Sequence, residues 1–156
     1  MIARKFFHLY KPEFARIHFH GLSAEDFLKA VPPGSYDFIF DDLFDGFQHL
    51  PDSARTPAHL DMLRTALSPV GICAKNVIWD PFSANSRAAC AEVQSHWLKC
   101  FPSHLGLAMG NPEKGHNLIL VGTMASGVLA WPSAKEKLGE AGIPKSLLDE
   151  IHPISG

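Results

Sequence analysis

The sequence predicts an α/β protein built on a mostly parallel sheet with a C-terminal antiparallel hairpin. Three observations carry that expectation. Apolar, β-branched runs alternate with helical patterns in the order strand, helix, strand, helix, strand, helix, hairpin, helices. The run Tyr36-Asp37-Phe38-Ile39-Phe40-Asp41 is apolar on both faces, as an interior strand of a parallel sheet is. Two later β-like runs, 104–109 and 117–122, flank Gly110-Asn111-Pro112-Glu113-Lys114-Gly115, whose turn formers suit a hairpin. At 156 residues, without repeats or linker-like segments, the chain is expected to form one domain over residues 1–156.

Each element has its own signal. Residues 1–10 read as a helix closed by Lys11-Pro12, and Arg16-Ile17-His18-Phe19-His20 alternates with the period of a short strand. Ser23 stands where an N-cap belongs, and residues 24–30 form one or two helical turns stopped by Val31-Pro32-Pro33-Gly34. The strand at 36–41 follows that turn. Thr56-Pro57 supplies a cap and a proline at the first helical position, and Leu60, Leu63 and Leu67 mark one helix face. Ser68-Pro69-Val70-Gly71 reads as the stop of that helix, with the next strand at 72–78. Cys90, Val93, Trp97 and Cys100 fall on one face of a helix over 83–100. Ser133-Ala134-Lys135-Glu136 has the form of a capping box opening a short helix, and Ile143-Pro144 opens another that ends before His152-Pro153.

Composition removes several classes of function. Hydrophobic residues make up 46% of the chain and charged residues 19%, too apolar for a disordered tail. Fourteen Lys and Arg against sixteen Asp and Glu give no electrostatic footprint for nucleic acid. Apolar runs such as Leu118-Ile119-Leu120-Val121 fall far short of the ~20 residues a spanning helix needs, so no membrane partner is expected. The charged residues at the N-terminus have no apolar run behind them, so no signal peptide is expected. Cys73, Cys90 and Cys100 are odd in number and lack metal-ligand spacing, as free thiols of a reducing cytoplasm do.

The segment from Pro33 to Val77 resembles a known family. Pro33-Gly34-Ser35-Tyr36-Asp37-Phe38-Ile39-Phe40-Asp41-Asp42-Leu43-Phe44-Asp45-Gly46, then Thr56 before a helix, then Leu67-Ser68-Pro69-Val70-Gly71-Ile72 and Asn76-Val77, is similar to the spermidine synthase-like branch of the class I S-adenosylmethionine-dependent methyltransferase fold. In that branch the fourth strand reads as tyrosine, aspartate, an apolar run, aspartate, two residues and aspartate, and the fifth follows a Pro-Gly-Gly turn and carries an amide residue. Ala3-Arg4-Lys5-Phe6-Phe7 resembles the helix after the second strand of the fold, and Asn117-Leu118-Ile119-Leu120-Val121 its last strand. The resemblance implies a truncated, Rossmann-like version of that fold and a transferase that uses S-adenosylmethionine or its decarboxylated form.

Two parts of the family pattern have no counterpart. The Gly-rich strand-loop-strand, whose backbone amides receive the nucleotide, and the acidic residue that grips the ribose would both precede residue 1. The acidic residue that holds the adenine is matched by Ser23, followed by the expected Ala24. The family's sheet order, 3-2-1-4-5-7-6, places the two absent strands between 16–20 and 36–41, a gap of roughly 14 Å. An apolar strand left at such an edge invites association, so a homo-oligomer, most simply a dimer, is expected to bury it.

The resemblance also assigns roles. Asp42 matches the general base that deprotonates an attacking amine, Asp45 the residue that holds a small amine or polyamine, and Ser23, Ala24 and Leu43 the remaining nucleotide wall. A carboxylate suits both tasks, since it pairs with an ammonium and accepts its proton. The family's Asp-Pro-x-Gly-Pro-Ala continuation is missing after residue 45, and the alternative is that Asp41, Asp42 and Asp45 solvate a turn. The competing reading of the whole chain is a non-catalytic self-associating module without a cofactor site. Nine histidines, among them His18, His20, His49 and His59 near Asp61, show no recognised ligand motif, so no metal is expected. Cys73 lies inside an apolar run and reads as a buried small hydrophobe rather than a nucleophile. Trp79 follows its strand at a position that would overlook a ligand crevice, Trp131 offers a further stacking ring, and the lysines of 135–145 form a solvated face.

Overall fold

The computed structural model describes residues 21–45, 49–109, 113–125, 127 and 129–154. The chain divides into two compact units, Met1–Ala30 and Val31–Gly156. In the first, helix α1 (Ala24–Ala30) starts as expected at Ser23, whose hydroxyl accepts from the Asp26 amide at 3.1 Å and donates to Asp26 Oδ2 at 2.8 Å. The helix and strand expected within residues 1–20 lie outside the described residues.

In the second unit, strand β1 (Tyr36–Asp41) is followed by a 3-10 turn (Asp52–Arg55), α2 (Pro57–Ala66), β2 (Leu67–Trp79) and α3 (Ala84–Cys100). Then come β3 (Ser103–Met109), β4 (His116–Thr123), α4 (Trp131–Glu140), α5 (Lys145–Asp149) and β5 (Ile151–Ile154). The two longer helices begin at side-chain caps: Thr56 Oγ1 accepts from the His59 amide at 3.2 Å, and Ser83 Oγ from the Ser86 amide at 3.2 Å.

The described strands form one sheet in the order β1-β2-β4-β3-β5. It is mixed rather than mostly parallel. Only β1 and β2 pair in parallel: β4, the returning strand of the hairpin, inserts between β2 and β3 antiparallel to both, and β5 adds to β3 antiparallel. The other departures have similarly local causes. Strand β1, expected inside the sheet, stands at one side of the described sheet, with Phe38 61% and Phe40 52% exposed. Residues 68–71 do not stop α2 and wait for a strand at 72. They remain extended within β2 and bulge, so that Tyr36 pairs Leu67 while Phe38 pairs Ile72. The helix read from Ser133-Ala134-Lys135-Glu136 begins two residues earlier, at Trp131, where Pro132 presets the first turn and no side-chain cap bond forms. His152-Pro153 is not a terminus of structure but part of β5, where an edge position tolerates proline.

Alternation along β2 sets the core. Cys73, Lys75 and Val77 point to one face and are 0%, 0% and 1% exposed, with α2 and α3 packed against the strand. Leu60 and Leu63 of α2, and Cys90, Val93 and Trp97 of α3, complete that layer with Leu118 and Leu120 of β4. Each buried leucine stabilises the fold by ~1.5–3 kcal/mol relative to an exposed one. Trp97 packs on Phe101 with ring centroids 4.5 Å apart, and Gly122 makes room for that pair. A Cβ at Gly122 would lie 2.5 Å from Phe101 Cγ.

Candidate functional site at the C-terminal end of β1

The last residue of β1 is not a turn solvator. Asp41 is buried, and its Oδ2 receives the Lys75 ammonium at 2.6 Å and His59 Nε2 at 2.9 Å. Lys75 stands in register with Asp41 on β2, and His59 reaches it from the first turn of α2. Burial alone would raise the Asp41 pKa. The His59 hydrogen bond and the charge and hydrogen bond of Lys75 outweigh it and hold the carboxyl below its ordinary value.

The next residue turns to the opposite side. Asp42 is exposed, and its Oδ1 accepts from Asn76 Nδ2 at 2.9 Å, a second cross-strand pair one residue beyond Asp41–Lys75. Its other carboxylate oxygen takes no hydrogen bond among the described residues. Asp45 is engaged locally: Oδ1 accepts from the His49 amide at 2.8 Å, the Asp45 amide donates to the His49 carbonyl at 2.9 Å, and the His49 ring lies 3.5 Å from Oδ2. Leu43, between the two aspartates, is half-buried. Ser23 and Ala24 belong to the first unit, where the Ser23 hydroxyl is spent on the cap of α1.

A cleft of ≈580 Å³ opens beside the end of β2, between the 3-10 turn and the first turns of α3. His49, Asp52, Arg55, Ile78, Asp80 and Ser86 contribute to its walls. Asp42 is not among the lining residues, and Asp45 meets the cleft through His49. Arg55 pairs with Asp52 and with Glu92 at 3.4 Å, so its charge is matched by two carboxylates. Trp79 is half-buried at the end of β2 and does not line the cleft. No group of three or more histidine, cysteine or acidic residues among the described ones is arranged to hold a metal ion. Cys73 is fully buried, as expected, and burial pushes its thiol up to about 12.

The pairing of Asp41 with Lys75 and His59 is the part of this site that sequence reading misses. Its one signal is a lysine next to Asn76 inside the otherwise apolar run 72–78, four residues beyond Gly71, with an aspartate ending the preceding strand.

No family model and no curated protein matches the chain. Solved structures do. A probable spermidine synthase from Corynebacterium glutamicum ATCC 13032 matches with a TM-score of 0.71 and 18% identity, over 97% of this chain and 53% of that one. The likeness is one of fold. This chain therefore has a spermidine synthase-like α/β fold and spans about half the length of that structure. Among the described residues, no helix is long and apolar enough to cross a membrane.

Proposed function

We propose that this chain carries the acceptor side of a spermidine synthase-like transferase site. It passes an aminopropyl or methyl group from decarboxylated or intact S-adenosylmethionine to a small amine, and a partner chain completes the nucleotide side. The observation that carries this reading is the setting of Asp42: an exposed carboxylate at the C-terminal end of a sheet strand, held through one oxygen by Asn76. That end of the strands is where open α/β sheets receive ligands. Asp42 takes a proton from the acceptor ammonium, and the freed nitrogen lone pair attacks the carbon bound to the sulfonium. The carbon–sulfur bond breaks with its electron pair going to sulfur, which leaves as a neutral thioether. Asp45, kept in place by its two backbone links to His49, offers a second carboxylate for the far end of the amine.

Titration with putrescine, a small diamine of the acceptor class, read by melting temperature, tests the reading. A ligand at 100 times its dissociation constant adds ~2.7 kcal/mol, which raises the midpoint of a chain this size by roughly 5–10 °C. The expected shift disappears in Asp42→Ala; no shift at millimolar putrescine refutes the reading.

The exposed Phe38 and Phe40 favour a second reading, a self-associating module that acts without a cofactor. Both readings include self-association through β1, and a monodisperse monomer in light scattering would count against it.

A further inference from the structure

We propose that the buried Asp41–Lys75–His59 cluster is a positioning device that fixes which residue of β2 faces Asp42. This rests on the reading of Asp42 as the carboxylate that meets the ligand. The two cross-strand pairs are consecutive and on opposite faces: Asp41 with Lys75 inside, then Asp42 with Asn76 outside. Around them β1 and β2 are apolar, with Phe38-Ile39-Phe40 on one strand and Ile72-Cys73-Ala74 and Val77-Ile78 on the other. Such runs carry little information about register. The bulge over residues 68–71 shows that β2 already departs from simple pairing a few residues earlier.

The charged pair removes that freedom. A slip by one residue would turn Lys75 to the opposite face of the sheet. A slip by two would leave the Asp41 carboxylate opposite Cys73 or Val77, buried with no cation. Well-packed apolar residues often replace a buried ion pair with no loss of stability, so stability alone does not account for this arrangement. What the pair supplies is a single allowed register, and His59 fastens it to α2. In that register Asn76, and no other residue of β2, meets Asp42 at the open end of the strand. Asp41, Lys75 and His59 are positioning residues, since none is placed to touch a ligand.

The test uses the full chain and the side-chain amide of Asn76 as its probe. In the wild-type protein the bond from Asn76 Nδ2 to Asp42 Oδ1 is expected to slow exchange of that amide. In Asp41→Leu/Lys75→Met we expect exchange at least tenfold faster, with the fold retained by circular dichroism. Asp41→Asn, which keeps the shape but weakens both bonds, falls between, and His59→Gln, which keeps a donor, behaves as wild type. An Asn76 amide in the double variant and in Asp41→Asn that exchanges as slowly as in the wild type overturns the proposal. Calorimetry with putrescine and methylthioadenosine runs in parallel. A wild-type chain that binds neither refutes the transferase reading, while the amide measurement still decides positioning.

Discussion

Replacing Lys75 by methionine is the most informative single perturbation of this fold. The substitution keeps the length of the side chain and removes the ammonium 2.6 Å from Asp41 Oδ2. Both side chains are almost wholly sequestered, at 0% and 3% exposure, so solvent cannot replace the lost partner. Asp41 then faces His59 alone. Breaking a buried pair from one side costs ~3–5 kcal/mol, which lowers the melting temperature by about 6–20 °C at ~2–4 °C per kcal/mol. Asp41→Leu/Lys75→Met removes both charges and leaves only the His59 nitrogen without its acceptor, a penalty of ~1–3 kcal/mol offset by apolar packing. The double variant is therefore more stable than Lys75→Met. The pH dependence follows from the same contacts. In the wild type, Asp41 titrates below its ordinary value of 3.8, so its stabilisation is complete above that value and is lost as the pH falls through the folded pKa. In Lys75→Met the ammonium that lowers the carboxyl is gone, burial raises it, and the deficit narrows on acidification. Urea denaturation at pH 7 and pH 4 measures both effects. A loss below 1 kcal/mol for Lys75→Met, or a double variant no more stable than the single one, refutes the reasoning.

Three further outcomes follow from other contacts. Gly122→Ala places a methyl against Phe101, which is fully buried and packed at a tilt on Trp97, and costs ~1–3 kcal/mol in urea denaturation. Thr56→Ala removes the cap of α2 and costs ~1 kcal/mol, while Thr56→Ser restores most of it. Cys73 and Cys90, with thiols pushed up to about 12 and about 11 by burial, resist labelling by a disulfide reagent at pH 8 in the native protein and react fully in urea.

The elements legible in the sequence are those whose ends carry their own chemistry. Tyr36–Asp41 emerges from Pro32-Pro33-Gly34, α2 from Thr56-Pro57 and α3 from Ser83, and each begins where those residues place it. Residues 68–71 mislead because Pro69 and Gly71 are usual breakers. Here Gly71 serves close approach instead: a Cβ would stand 3.0 Å from the Tyr36 carbonyl oxygen. Strand β5 is only four residues long and contains a proline, so nothing local marks it, and pairing with β3 across more than forty residues creates it. The site divides in the same way. Asp42 and Asp45 are legible as a spacing at the end of a strand. The Asp41 cluster is not, because its partners arrive from 34 and 18 residues away and only the parallel register and the start of α2 bring them together.

The measurement closest to the central claim is a calorimetric titration of the chain with putrescine in the presence of methylthioadenosine, repeated on Asp42→Asn. Asp42 is exposed, so that substitution changes stability by no more than ~0.5 kcal/mol and isolates the site from the fold. Saturable binding to the wild type that weakens at least tenfold in Asp42→Asn is expected. Equal binding by the two proteins, or no binding by the wild type, would contradict that claim.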